Sequence, residues 1–195
     1  QEYLPKNDGD IVEVNVNNLI LEGKMRDLTE YYRDVESSHG KDTADALRRL
    51  YSLFDDGIYE WLASLWDKEN GGFYYSVSAR DNEGFLPDIE STVQALSWLQ
   101  GTGMLGFADD SYANALPEWM KNQIIAFTKG LQSPTNGYFY HPQWKEMMLK
   151  DPMRYTSRRA RDMHNATNLL RALGSSPLYP TAIERISQAK NDGDH

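Results

Sequence analysis

Asn70-Gly71-Gly72-Phe73-Tyr74-Tyr75 and Asn136-Gly137-Tyr138-Phe139-Tyr140 are two renderings of one turn, each set between stretches with helical spacing. Residues 58–66 lead into the first and residues 119–130 into the second. After a loop the first copy resumes as Asp88-Ile89-Glu90-Ser91-Thr92-Val93-Gln94-Ala95-Leu96-Ser97-Trp98-Leu99. The second resumes as Asp162-Met163-His164-Asn165-Ala166-Thr167-Asn168-Leu169-Leu170-Arg171-Ala172-Leu173. From each leading aspartate, apolar or small residues recur as Thr92, Leu96 and Leu99, and as Ala166, Leu170 and Leu173, one face of a helix. A helix–turn–helix unit used twice predicts stacked hairpins, each burying its face against the next. The fold class that follows is all-α.

Outward from the repeat, the pattern predicts about seven helices. Residues 1–18 read as an irregular arm; within it Val12, Val14 and Val16 alternate as in a short strand. Residues 19–190 read as one helical domain. A first helix over 19–35 carries Leu21, Met25, Leu28 and Tyr32, and Ser37-Ser38-His39-Gly40 breaks it. A second begins at Asp42 or Thr43, with Ala46, Leu47, Leu50 and Phe54 on one face. Pro117 suits the first turn of a helix running to Lys129. The loop over 141–161, longer than its counterpart, carries Trp144 and Tyr155 and a short helix at 143–149. Gly174-Ser175-Ser176-Pro177 stops the chain before a last helix over 180–190. In the first turn Gly72 is the residue expected to matter to folding, through positive φ.

Composition narrows the function. With 195 residues the chain is long enough for one full core. Its net charge of -9, from 29 acidic and 20 basic residues, argues against nucleic acid, whose phosphates need a cationic surface. No run of apolar residues is long enough to span a membrane. Cysteine is absent, which removes disulfides, thiolate catalysis and cysteine-ligated metals. The four histidines, 39, 141, 164 and 195, have no metal-ligand spacing, and no glycine-rich phosphate loop, dinucleotide fingerprint or nucleophile elbow is present. No metal and no cofactor is therefore expected. Five Trp and twelve Tyr either fill the core or line a groove.

The repeat resembles that of α/α-toroid proteins. These include terpene cyclases, protein prenyltransferase β subunits, complement-type thioester domains and the α/α-barrel glycoside hydrolases and polysaccharide lyases. The resemblance is carried by Gly71, Gly72, Phe73, Asp88, Thr92, Ala95 and Leu96, and more weakly by Gly137, Phe139, Asp162, Ala166 or Thr167, and Leu170. It covers residues 58–174 and implies helical hairpins in an α/α-toroid-like arrangement. A complete toroid needs more hairpins than this chain has room for, so the implied barrel is incomplete. Zinc-dependent prenyl transfer and thioester chemistry lack the cysteine they require, and the aspartate-rich protonating motif of triterpene cyclases is missing, Asp109-Asp110 alone being too weak. The members left compatible act on carbohydrate or are noncatalytic.

Two loops hold the candidate site residues. The first places Arg80, Asp81 and Glu83 beside Tyr74, Tyr75 and Phe85 and ends at Asp88 and Glu90. Aromatic faces bind sugar C–H surfaces, carboxylates and guanidinium groups bind hydroxyls, and a carboxyl pair drawn from Asp81, Glu83, Asp88 and Glu90 would serve glycoside hydrolysis. The competing reading makes Asp88, and likewise Asp162, a helix N-cap. Glu90 lies about 200° around the helix from Asp88, so the two should not converge on one atom.

The second loop offers Tyr155, Arg158, Arg159, Arg161 and His164 beside the turn tyrosines Tyr138 and Tyr140. Arginines can hold a uronate, and Tyr155 with His164 as acid and base would then describe a lyase. Alternatively these arginines pair with acids such as Asp81, Glu83 or Asp151 and order the loop. One tyrosine of each turn pair is expected to be accessible. The expectation is a carbohydrate-related module, with an extracytoplasmic setting favoured and a glycan as partner. The alternative is a helical scaffold that self-associates or joins the remainder of a longer chain.

Overall fold

The computed structural model describes residues 28–54, 56–101, 113 and 116–191. The arm expected over 1–18, its strand and the start of the helix expected from residue 19 lie outside the described residues. Among those described are nine helices: α1 (Leu28–His39), α2 (Lys41–Tyr51), α3 (Asp56–Ala63), α4 (Val77–Arg80), α5 (Ile89–Gly101), α6 (Glu118–Gly130), α7 (Lys145–Lys150), α8 (Thr156–Ala172) and α9 (Ala182–Asn191). Two short strands, β1 (Trp66–Asp67) and β2 (Gly72–Phe73), pair antiparallel between α3 and α4. None of these helices is long and apolar enough to cross a membrane.

The chain divides into two compact units, Gln1–Ser64 with Leu96–Pro117, and Leu65–Ala95 with Glu118–His195. In the first, α1 runs to His39 and α2 starts at Lys41, so Gly40 alone breaks the hairpin. Arg48 fastens α2 to α1, lying 5.1 Å from the Tyr32 ring centroid and 3.6 Å from Glu36. Ala44 and Leu62 are buried, as are Leu96 and Leu99 on the expected face of α5. Trp98, on the other side of that helix, meets Phe54 edge-on at 5.7 Å.

The second unit holds both Gly-aromatic turns, and their backbones match at one constant offset along the chain. Gly71 N–H donates to Asp67 O as Gly137 N–H does to Ser133 O. Tyr74 N–H donates to Leu65 O as Tyr140 N–H does to Leu131 O. Trp66 pairs with Phe73 and Gln132 with Phe139. Both turns also anchor a tyrosine hydroxyl: Tyr74 Oη donates to Asp67 at 2.7 Å, and Tyr140 Oη accepts from Asn136 at 2.9 Å.

The positive φ sits at Gly71 and Gly137, at 83° and 74°, and not at Gly72. Gly72 is instead held small by packing, since a Cβ there would meet the Phe127 ring at 2.7 Å. Each turn is seated on a following helix. A Cβ on Gly71 would stand 2.7 Å from the carbonyl oxygen of Gln123 in α6; one on Gly137 would stand 2.2 Å from that of Pro180, just before α9. Corresponding carbonyls are capped across the same seams: Gln123 Nε2 donates to Lys68 O at 3.1 Å, and Arg185 donates to Pro134 O and Thr135 O at 2.9 Å.

Thr92 ties the first turn to α5. Its hydroxyl accepts from Phe73 N–H at 3.0 Å and donates to Asp88 O at 2.8 Å. Phe139, Ile89, Met163, Ala166, Leu170 and Ala182 form the apolar core around the second turn. The face read from Asp162 is therefore buried through Ala166 and Leu170. The short helix expected at 143–149 is α7, starting two residues later.

Candidate functional site

Asp88 opens α5 as an N-cap. Its Oδ1 accepts from Ser91 N–H at 3.0 Å and its Oδ2 from Ser91 Oγ at 2.6 Å. Such a cap contributes about 1 kcal/mol by satisfying a helix-end donor. The same carboxylate, almost wholly buried, faces two further groups: His141 Nε2 lies 3.5 Å from Oδ2 and Arg158 Nη2 3.8 Å from Oδ1. Burial pushes the acidity of Asp88 down, but bonding from His141 and Ser91 outweighs it and holds the carboxyl below its usual pKa range.

Asp162 is not a cap. Helix α8 begins six residues earlier at Thr156, with Arg159 N–H donating to Tyr155 O at 2.9 Å. No glycine or proline between Thr156 and Arg161 delays the start, so the aspartate falls inside the helix. It is 1% exposed and answers Arg158 one turn back. Arg158 Nε lies 2.9 Å from Oδ1 and 3.0 Å from Oδ2, and the hydrogen bond is made to Oδ2. Here burial wins over Arg158, and the carboxyl titrates above its usual range.

Arg158 is the centre of this arrangement. Besides Asp162 and Asp88 it reaches Glu90 Oε2 through Nη1 at 2.8 Å, and Arg161 Nη2 lies 3.4 Å from the same oxygen. Asp88 caps α5 and Glu90 stands in its first turn, and one planar guanidinium lies within ion-pair distance of both. A cation in the first turn of a helix is unfavourable against the dipole, and the three carboxylates offset that cost. Trp144 joins the cluster, stacked on His141 at 4.3 Å between centroids and 4.9 Å from Arg158 Cζ. Gln143 Nε2 contacts Gly84 O and Leu86 O at 3.4 and 3.5 Å, which ties the loop carrying the exposed Phe85 and Leu86 to the residue before Trp144. His141 Nδ1 is buried with no hydrogen-bond partner among the described residues.

The other expected residues are elsewhere. Arg80 Nε donates to the exposed Asp81 at 2.7 Å, and Glu83 is exposed on the same loop. Tyr155 and His164 are not brought together: the Tyr155 hydroxyl points at Met147 Sδ, 4.0 Å away, while the exposed His164 bonds Asn168 on its own helix at 2.9 Å. Tyr74 and Tyr140 are turn anchors, and burial with Asp67 raises the Tyr74 phenol above its ordinary range. Of the first pair Tyr75 is the accessible one, at 76%. In the second pair neither is open, because Tyr140 is buried and Arg159 lies 4.5 Å from the Tyr138 ring centroid. Tyr138 and Tyr140 are two apart, not adjacent, so strand alternation does not send them to opposite faces.

Three members of the cluster were not singled out by sequence: His141, Trp144 and Asp162 in an ion-pairing role. The available signal was the Arg158–Asp162 spacing of one helical turn. Among the described residues no group of histidine, aspartate and glutamate is placed to hold a metal ion. No protein-family model, curated protein or solved structure matches this chain.

Proposed function

We propose that this chain is a carbohydrate-binding module of α/α-toroid-like architecture, incomplete as a barrel. The observation that carries the reading is the partly exposed Trp144 ring, set against His141 and Arg158 in a cluster that also holds Glu90 and Arg161. Sugars need both: an apolar face to stack on and polar groups of fixed geometry for their hydroxyls. The repeated turn, with each copy capped by a following helix, supports the architecture.

Binding is favoured over hydrolysis or uronate-directed lysis. Asp88 and Asp162 have opposite acidities, which is the signature of an acid and base pair. Both are nonetheless buried and committed, one to a cap and the other to Arg158. Tyr155 and His164 have separate partners. Screening the protein on glycan arrays and on a panel of neutral and acidic polysaccharides should give retention without turnover. Trp144→Ala should abolish retention. Turnover that Asp162→Asn removes would establish an enzyme instead, and neither retention nor turnover would end the carbohydrate reading.

A second reading, a helical interaction domain, is favoured by α9 and its approach, where Leu178, Ile183 and Ile186 are exposed. Apolar residues grouped in this way mark association surfaces. Sedimentation across a concentration series should then show self-association that Ile183→Glu reverses. A monomer at every concentration counts against it.

A further inference from the structure

Within the proposed carbohydrate site, we infer that Glu90 determines specificity by making the site select neutral over acidic glycans; this rests on the carbohydrate reading. The sequence alone gives the opposite impression, because Arg158, Arg159 and Arg161 crowd one loop of an acidic protein. The contacts account for each of them. Arg158 commits Nε to Asp162 and Nη1 to Glu90, with Nη2 turned to Asp88. Arg159 donates to Pro152 O at 2.9 Å and covers Tyr138. Arg161, 54% exposed along its side chain, shares the Glu90 carboxylate with Arg158.

Recognition of a uronate or sulfate requires a guanidinium fork free to make two parallel bonds and a charge not already balanced. Here Glu90 balances the charge of both Arg161 and Arg158, the latter also facing Asp88 and Asp162, and its own charge would repel an anion. What the cluster retains suits hydroxyl groups. Glu90 is partly exposed and has a second carboxylate oxygen, Oε1, beside the one that meets the arginines. It is an acceptor, matched to an O–H donor of an uncharged sugar.

The test compares the wild-type chain with Glu90→Gln, which keeps the shape and removes the charge. Binding to neutral cello-, xylo-, malto- and chito-oligosaccharides is measured by calorimetry beside binding to oligogalacturonate and sulfated oligosaccharides, each at low and high salt. The wild type should favour at least one neutral ligand over every acidic one by about tenfold or more, the worth of one charge-assisted hydrogen bond. Glu90→Gln should weaken neutral binding and acquire acidic binding that salt suppresses. Wild-type preference for an acidic ligand would overturn the inference while leaving the carbohydrate reading intact. So would a folded Glu90→Gln protein that gains no acidic affinity. A wild type that binds neither panel defeats both. The wild-type ratio needs no variant, so it decides the matter even if Glu90→Gln fails to fold.

Discussion

Gly137→Ala is expected to lower stability by about 3 kcal/mol or more, combining the left-handed backbone cost with overpacking. Alanine at a φ of 74° costs about 1–2 kcal/mol by itself. The new methyl would also stand 2.2 Å from Pro180 O and 2.8 Å from Thr181 C. These are backbone atoms, so no rotamer change relieves the clash. Either the turn or the start of α9 must move, and both are stitched in place by Gln132, which donates to Tyr179 O at 2.8 Å and accepts from its N–H at 3.0 Å. Gly84→Ala separates the two effects. Its φ is 90°, but nothing lies within 4 Å of the added carbon, so only the backbone cost of about 1–2 kcal/mol should appear. Urea denaturation of both variants measures the difference. Equal losses would mean that α9 yields freely and that the seam between turn and helix is soft.

Arg158→Met is expected to cost about 3–5 kcal/mol near neutral pH, the range for a buried ion pair broken on one side. Asp162, 1% exposed, would lose its hydrogen-bond donor, and Asp88 and Glu90 would lose a shared cation. The pH dependence should carry a definite sign. Burial already raises the Asp162 carboxyl, and Arg158 opposes the rise. Without the arginine it rises further, so the folded variant holds a proton at pH values where the unfolded chain, at about 3.9, does not. A raised carboxyl favours the fold on the acid side and loses that contribution as pH climbs. The deficit against wild type should therefore be largest at pH 7 and smaller at pH 5. Asp88 behaves oppositely. Its depressed pKa stabilises the fold above about pH 3.9, a contribution lost as pH falls through the folded value, so the comparison belongs above pH 4. A small deficit equal at the two pH values would show that water already satisfies these carboxylates.

The turn motif was legible because it is local. Asn-Gly followed by alternating aromatics dictates its own hydrogen bonds, and they recur at Gly71 and Gly137 with the same donors and acceptors. The buried face of α5 was legible for a similar reason: Thr92, Leu96 and Leu99 share a side of any helix built on that sequence. Two inferences from analogy did not transfer. Asp162 looked like the counterpart of Asp88, but residues 156–161 are all compatible with helix, so α8 starts early and carries the aspartate inside. Gly72 looked like the residue needing unusual φ, whereas Gly71 takes it and Gly72 answers to the Phe127 ring.

The sequence by itself determined a mostly helical fold, the approximate position of most of the described helices and the two turns, since each depends on residues within a few positions of one another. Only the tertiary structure decided what the charged residues do. Arg158 has equally plausible partners in Asp81, Glu83 and Asp151 when judged by type, because a guanidinium attracts any carboxylate. Which one it meets depends on how α8 is laid against α5, and that follows from the burial of Ile89, Met163, Ala166 and Leu170 in one core. Apolar packing, nondirectional and summed over the whole unit, set the backbone; the ion pairs then formed among whichever charges it had brought within reach.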